Sequence, residues 1–317
     1  MTVRESQLGF YPCLTVGGGM PLVVLAGLLP AAGVAPGLLR GQHERTAALF
    51  ARGRQVFYVN RRPRMPRGAT MAEIAAEHAA AMRMSFGRPV DLLGVSTGGS
   101  IAQQIAAEHP DVVRRLVLIS TGCRLGPAAA LVQRQVAARV RAEAIPQACA
   151  VIAADLAPVG PLALLAGAAG RLVGPRLLGR EGLDDMATMA EAEDSFDLAR
   201  LPPIQAPTLI IGGGRDRYYE TSLVEETRRL IPNCRVEILP LLGHITVLSH
   251  PRTLRSVSEF LSAGQSSAPA PGPRSGPGAQ GSNRGCHASA AQMSGYPRRR
   301  TVPGTRSTPQ LPRRGCS

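Results

Sequence analysis

The chain has 317 residues, of which 44% are hydrophobic, 18% charged and only 3% aromatic, with no Trp. That length suits one large globular domain, or one domain carrying an insertion, and it can bury a sizeable core without disulfides. The formal charge is +14, yet all 36 basic residues are Arg, which excludes a Walker A lysine, a kinase strand lysine and a Schiff-base lysine, while the scarcity of aromatics argues against base-stacking platforms for nucleic acid.

In chain order, Leu8 to Val16 reads as a short strand or hairpin, closed by the turn Gly17-Gly-Gly19. Pro21 to Ala26 is a short apolar run that suits a buried parallel strand ending at Gly27. No charged residue occurs from Ser6 to Leu39, behind Arg4, which invites a signal-peptide or membrane-helix reading. Gly27, Pro30, Gly33, Pro36 and Gly37 interrupt any such helix. The expectation is therefore a cytoplasmic protein with no membrane span.

His43 to Arg52 reads as helix and Gln55 to Asn60 as strand. Met71 to Ser85 has helical periodicity, with Thr70 as its cap and Glu73 placed for a capping box. Val90 to Val95 is a strand, Thr97 to His109 a helix and Val113 to Ser120 a strand. Pro207 to Ile211, Glu220 to Ile231, Val236 to Leu239 and Pro251 to Ser262 continue the alternation as strand, helix, strand and helix. Strands alternating with helices of this length predict an α/β fold, a mostly parallel sheet with helices on both faces. Arg124 to Pro203 breaks the alternation: it is rich in Ala and Leu, helical in pattern, and reads as a helical cap or lid over the strands' C-terminal edge. The expected organisation is a core from 1–123 and 204–263, a cap from 124–203, and a tail from 264–317.

The tail holds eight Arg and no acid, which leaves 28 Arg against 22 acids in the rest of the chain. Its Pro, Gly and Ser content offers too little apolar surface to offset ordering, so it reads as disordered, either an appendage or an out-of-frame extension. Its charge would bind polyanions weakly, with no specific nucleic acid implied. Cys13, Cys123, Cys149, Cys234, Cys286 and Cys316 share no C-x-x-C spacing and read as reduced thiols. No metal site and no cofactor are expected.

The strand at 90–95 runs into Gly94-Val-Ser96-Thr-Gly98 and then a helix. That is G-x-S-x-G in the strand, turn, helix context that lifts a serine hydroxyl above a sheet. A serine nucleophile needs a base, and the base needs an orienting acid. Asp216 follows the strand at 207–211 and His244 follows the strand at 236–239, both in loops at the strands' C-terminal ends. The expected roles are Ser96 as nucleophile, His244 as base and Asp216 as its acid. His78, His109 and His250 read as surface or capping positions, while His43 and His287 lie outside the sheet-edge loops. Asp184, Asp185, Asp194 and Asp197 fall in the cap or its exit. Two backbone N–H groups should face a developing oxyanion, that of Thr97 after the nucleophile and that of Leu28 in the loop after the first long strand.

Over about residues 8 to 263 these features resemble the α/β-hydrolase fold family. The motifs carrying the resemblance are Gly94-Val-Ser96-Thr-Gly98, the segment Ala206-Pro-Thr-Leu-Ile-Ile-Gly-Gly leading to Asp216, and Gly243-His244. The resemblance implies an eight-stranded, mostly parallel sheet with a helical cap, and an acyl-enzyme on Ser96 with Asp216 and His244 as acid and base and Leu28 and Thr97 as oxyanion donors. Many members carry His-Gly before the first donor; here Ala26 stands in place of that His. A serine at 96 argues against the aspartate-nucleophile members. The implied activity is hydrolysis of a carboxylic ester, thioester or amide of a small molecule, hydrophobic if Pro161 to Ala169 lines the site. Two alternatives are an acyltransferase or cofactor-free perhydrolase on the same three residues, and a ligand-binding protein that keeps the fold without turnover.

Overall fold

A computed structural model describes residues 2–157 and 160–263. The two expectations for the tail, disorder and weak polyanion binding, and His287 with them, lie outside the described residues. The eight strands are β1 (Arg4–Leu8), β2 (Tyr11–Gly17), β3 (Met20–Leu25), β4 (Arg54–Val59), β5 (Val90–Val95), β6 (Val113–Ile119), β7 (Thr208–Gly213) and β8 (Cys234–Leu239). They form one sheet in the order β1-β2-β4-β3-β5-β6-β7-β8. β1 and β2 pair antiparallel, β2 and β4 antiparallel, and every pairing from β4 through β8 is parallel.

The inner parallel strands β3, β5, β6 and β7 are largely apolar on both sides because both sides are covered. Val23, Leu25, Leu92, Leu116, Leu118 and Ile210 point to one face, where they meet Ile74 and Met82 of α2 (Met71–Phe86) and Ile101 and Ile105 of α3 (Thr97–Glu108). Leu22, Val24, Leu93, Val117, Leu209 and Ile211 point to the other, against Ala47 of α1 (Gly37–Leu49) and Val257 and Leu261 of α9 (Pro251–Ser262). Helix α8 (Thr221–Leu230) adds Leu223 and Val224 to the first face. The winding reverses between β3 and β5, whose following helices lie on opposite faces. In open α/β sheets such a reversal leaves a crevice at the strands' C-terminal ends.

Between β6 and β7 the chain inserts α4 (Pro127–Arg141), α5 (Ile145–Leu156), α6 (Pro161–Leu177) and α7 (Arg180–Asp194). Val136, Val140, Ala148, Ile152, Leu183 and Met186 give the insertion a small core of its own. The apolar run at 161–169 does not face the sheet: Leu162, Leu164 and Leu165 are 58%, 78% and 67% exposed. The leucines expected to line a substrate cavity are thus on the outside of the insertion.

Several element ends differ from the sequence reading. The N-terminal hairpin starts at Arg4, and α1 begins at Gly37, six residues before the expected His43. That start is hard to see because Pro36 precedes it with no capping side chain, and the first turn holds no acid. Helix α2, by contrast, carries the full capping box at Thr70 and Glu73. His78 is not a surface residue; it is 2% exposed, with Nδ1 within 3.2 Å of the Tyr11 hydroxyl and 2.8 Å of the Ile74 carbonyl. Among the described residues no single helix is long and apolar enough to cross a membrane.

Candidate active site

Ser96 sits between β5 and α3 with φ 52° and ψ −124°, outside the regions L-residues ordinarily occupy. The turn is held tight from both sides, which explains the two glycines of the motif. A Cβ on Gly94 would come within 2.5 Å of the Gly98 carbonyl oxygen, and one on Gly98 within 2.3 Å of the Leu25 carbonyl oxygen. The amide of Ser96 donates to the Ile119 carbonyl at the end of β6. The serine is therefore fixed where α3 begins, with the positive end of the helix dipole beside its hydroxyl.

The loop after β3 lies against it. A Cβ on Gly27 would stand 3.3 Å from Ser96 Cβ and 3.9 Å from its Oγ, so Leu28 belongs to the segment that borders the hydroxyl. Neither the Leu28 nor the Thr97 amide has a backbone acceptor among the described residues outside regular helix bonding. Such donors are free to turn to a ligand. No histidine supports this loop, since Ala26 occupies that position. Its support comes instead from the end of β4: Asn60 Nδ2 donates 2.7 Å to the Ala31 carbonyl, and the buried Arg61 guanidinium donates to the Leu29 carbonyl and, at 3.3 Å, to that of Gly182 in α7. Burial lowers the Arg61 pKa to about 10, with Asp185 opposing the shift.

Asp216 and His244 arrive from the loops after β7 and β8. His244 Nδ1 lies 2.8 Å from Asp216 Oδ2, and its Nε2 lies 3.1 Å from Ser96 Oγ. Asp216 is 5% exposed, and its second oxygen accepts from the amides of Tyr218 and Tyr219 at 2.9 and 3.1 Å. With that oxygen occupied by the loop's own backbone, Oδ2 is left to the imidazole. The Ser120 hydroxyl, at the end of β6, donates 2.8 Å to the His244 carbonyl and pins the histidine loop over the strand between β5 and β7. Tyr218 meets the imidazole edge-on at 4.8 Å and Tyr219 stacks on it at 5.9 Å. The structure thus brings Ser96, Asp216 and His244 into one hydrogen-bonded chain. It places Asp185 elsewhere, accepting from the Arg64 and Met65 amides, and His250 at the cap of α9. His43 is buried beside Tyr58.

Glu193 of α7, which the sequence reading did not single out, is fully buried beside this chain. It accepts from the hydroxyls of Thr97 and Ser100 at 2.7 Å each, from Gln133 of α4 at 3.0 Å, and from the Tyr219 hydroxyl at 3.3 Å. Burial raises its carboxyl above the ordinary range, and the hydrogen bonds from Thr97, Gln133, Ser100 and Tyr219 pull it back. The available signal was its place on the stripe Met186, Met189, Ala190, Glu193, a carboxyl on an apolar helix face. Among the described residues no group of three or more His, Cys, Asp or Glu side chains is placed to hold a metal ion.

The chain belongs to the alpha/beta hydrolase family, which it matches over residues 23–257. It is 30% identical over 187 residues to the sn-1-specific diacylglycerol lipase ABHD11 of Mus musculus, covering 55% of this chain and 59% of that protein. It is also 30% identical over 187 residues to a pimeloyl-[acyl-carrier protein] methyl ester esterase of Neisseria meningitidis, covering 56% of this chain and 70% of that protein. The chain therefore spans well under two thirds of the mouse lipase. Among solved structures, the enol-lactonase of Burkholderia xenovorans superposes with a TM-score of 0.59 at 19% identity, covering 79% of this chain and 97% of that one. A hydrolase of Pseudomonas aeruginosa does so with a TM-score of 0.59 at 22% identity, covering 82% and 98%. At those identities the likeness is one of fold.

Proposed function

We propose that the protein is a serine hydrolase of carboxylic esters, working through an acyl-enzyme on Ser96. The observation that carries the reading is the continuous hydrogen-bonded chain Asp216 to His244 to Ser96, at 2.8 and 3.1 Å, in a member of a family whose similar proteins include an esterase and a lipase. In the first half-reaction Ser96 Oγ adds to the ester carbonyl carbon while its proton passes to His244 Nε2. Asp216 holds the imidazole in the tautomer that accepts this proton and stabilises the imidazolium. The carbonyl oxygen takes the electron pair, facing the Leu28 and Thr97 amides. Collapse expels the alkoxide, which takes the proton from His244, and leaves the acyl group on Ser96. In the second half-reaction His244 takes a proton from water, the hydroxide attacks the acyl carbonyl, and Ser96 leaves with the proton returned.

Fluorophosphonate labelling tests the reading, because the reagent needs an activated serine rather than the natural substrate. The expected result is one modified peptide containing Ser96, absent in Ser96→Ala. A folded protein that takes no label, or takes it on another serine, overturns the assignment.

A further inference from the structure

Helix α6 is built inside out for a helix bathed in water. The side it turns to its neighbour α5 is made of its smallest residues. A Cβ on Gly170 would lie 2.5 Å from Ala153 Cβ and one on Gly174 would lie 2.5 Å from Cys149 Cβ, while one on Gly167 would sit in contact with Ala154. Its large apolar residues point away: besides Leu162, Leu164 and Leu165, Leu172 is 70% and Leu177 74% exposed, and Leu156 at the end of α5 is 67% exposed. A soluble helix gains stability by the opposite arrangement. Close glycine-mediated packing with leucines outward is what helix pairs adopt where the surroundings are as apolar as leucine itself. Exposed apolar surface concentrated in this way marks an interaction site.

The charge on the same helix selects the partner. The segment 161–180 contains Arg171, Arg176 and Arg180 and no acidic residue. Arg180 pairs with Glu143, and the Arg176 guanidinium folds back onto the Leu172 carbonyl of its own helix. Arg171 and Arg176 are exposed, and neither has a carboxylate partner among the described residues. A surface of leucines carrying arginines without carboxylate partners complements an apolar layer under anionic headgroups.

We infer that α6 docks the protein on an anionic phospholipid bilayer, lying in the interface with its leucines among the acyl chains. No single described helix is long and apolar enough to cross; α6 and α7 together pass only as a pair bent by 117°, and α7 is packed into the fold through Leu183, Met186, Met189 and Glu193, so the mode is interfacial. The docked element is tied to the candidate site. Asp155, one residue before exposed Leu156, accepts from the Tyr218 hydroxyl at 2.6 Å and from Arg217 at 2.8 Å, and Tyr218 packs on His244. Leu241 and Ile245, in the loop of His244, are themselves 72% and 63% exposed. Docking would therefore present the site at the membrane surface, where esters with long apolar chains partition.

The test is co-sedimentation of the full chain with vesicles of phosphatidylcholine alone and of phosphatidylcholine with roughly one-third phosphatidylglycerol, a mixture that supplies the anionic headgroups the arginines require. Three variants are compared: a triple variant Leu164→Glu, Leu165→Glu, Leu172→Glu; a double variant Arg171→Gln, Arg176→Gln; and a tail variant with Arg298, Arg299 and Arg300 all changed to Gln. The expected result is binding that favours the anionic vesicles, weakened ~10-fold or more by the triple variant, less by the double variant, and kept by the tail variant. Indifference of the wild type to both vesicles overturns the inference. So does a triple variant that binds as the wild type does, or loss of binding in the tail variant alone. A wild-type dimer in sedimentation velocity that the triple variant dissolves also overturns it, since a second copy then covers α6. Binding is read without turnover, so the inference stands or falls separately from the hydrolase reading.

Discussion

The Thr97 hydroxyl donates to the Glu193 carboxyl at 2.7 Å, joining the residue after the candidate nucleophile to a helix that lies 96 positions further along the chain. Glu193 holds the start of α3 at two points, Thr97 and Ser100, and holds Tyr219 of the Asp216 loop at a third. All four of its donors point at oxygen. Glu193→Gln puts an amide donor where one of them points, which should cost about 1–3 kcal/mol for the mismatched group. A melting temperature lower by roughly 3–10 °C is expected for a domain of this size. Glu193→Ala removes every partner and should fall further. A Gln variant that melts with the wild type would mean the cluster adds nothing to stability.

The three residues of the proposed mechanism should lose activity in a characteristic order. Ser96→Ala and His244→Ala each remove a group whose bond-making step nothing else supplies, and turnover of a p-nitrophenyl ester should fall on the order of 10⁶-fold. Asp216→Asn keeps the shape but favours the wrong imidazole tautomer, and should fall by about 10⁴-fold. Combining any two should cost little more than the worse single change, because the residues act as one unit. Additive losses in a double-mutant cycle would contradict the shared proton path.

What the sequence made legible is what local backbone or parallel topology dictates. Gly94 and Gly98 flag the turn at Ser96 because a side chain at either would collide with backbone oxygens a few residues away or on β3. Asp216 and His244 follow from topology, since every parallel strand delivers its following loop to the same edge. Glu193 and Arg61 act across 96 and 32 residues through contacts that no short pattern encodes. Helix α6 was hidden for a related reason. With apolar residues on all sides it has no stripe from which to read its buried face, and only its glycines indicate which side packs.

Arg61 should matter to rate more than to affinity. It holds the Leu29 carbonyl, one residue past the Leu28 amide, in a loop that carries Ala26 and no histidine. Arg61→Met keeps much of the volume and removes the hydrogen bonds, freeing the loop to move the donor. Loss of one oxyanion donor costs about 3 kcal/mol, so kcat should fall by up to roughly 10²-fold with KM little changed. A rise in KM at constant kcat would instead assign Arg61 to substrate binding.

Two buried histidines set how the fold responds to acid. Desolvation lowers both His43 and His78 from 6.5 to about 4, with Arg61 adding to the shift at His43. Each is therefore neutral in the fold but protonates in the unfolded chain as pH drops through 6.5. The unfolded state binds more protons across this window, so stability falls steadily from pH 6.5 and the loss levels off below about pH 4. Each shift corresponds to an upper limit of about 3 kcal/mol. Urea midpoints measured from pH 7 to pH 4 should decline accordingly. His78→Gln should remove about half the slope, although it lowers stability at pH 7 through the lost contacts to Tyr11 and Ile74. An unchanged slope in that variant would mean that His78 does not carry the acid sensitivity, because the carboxylate pairs contribute only nearer pH 4.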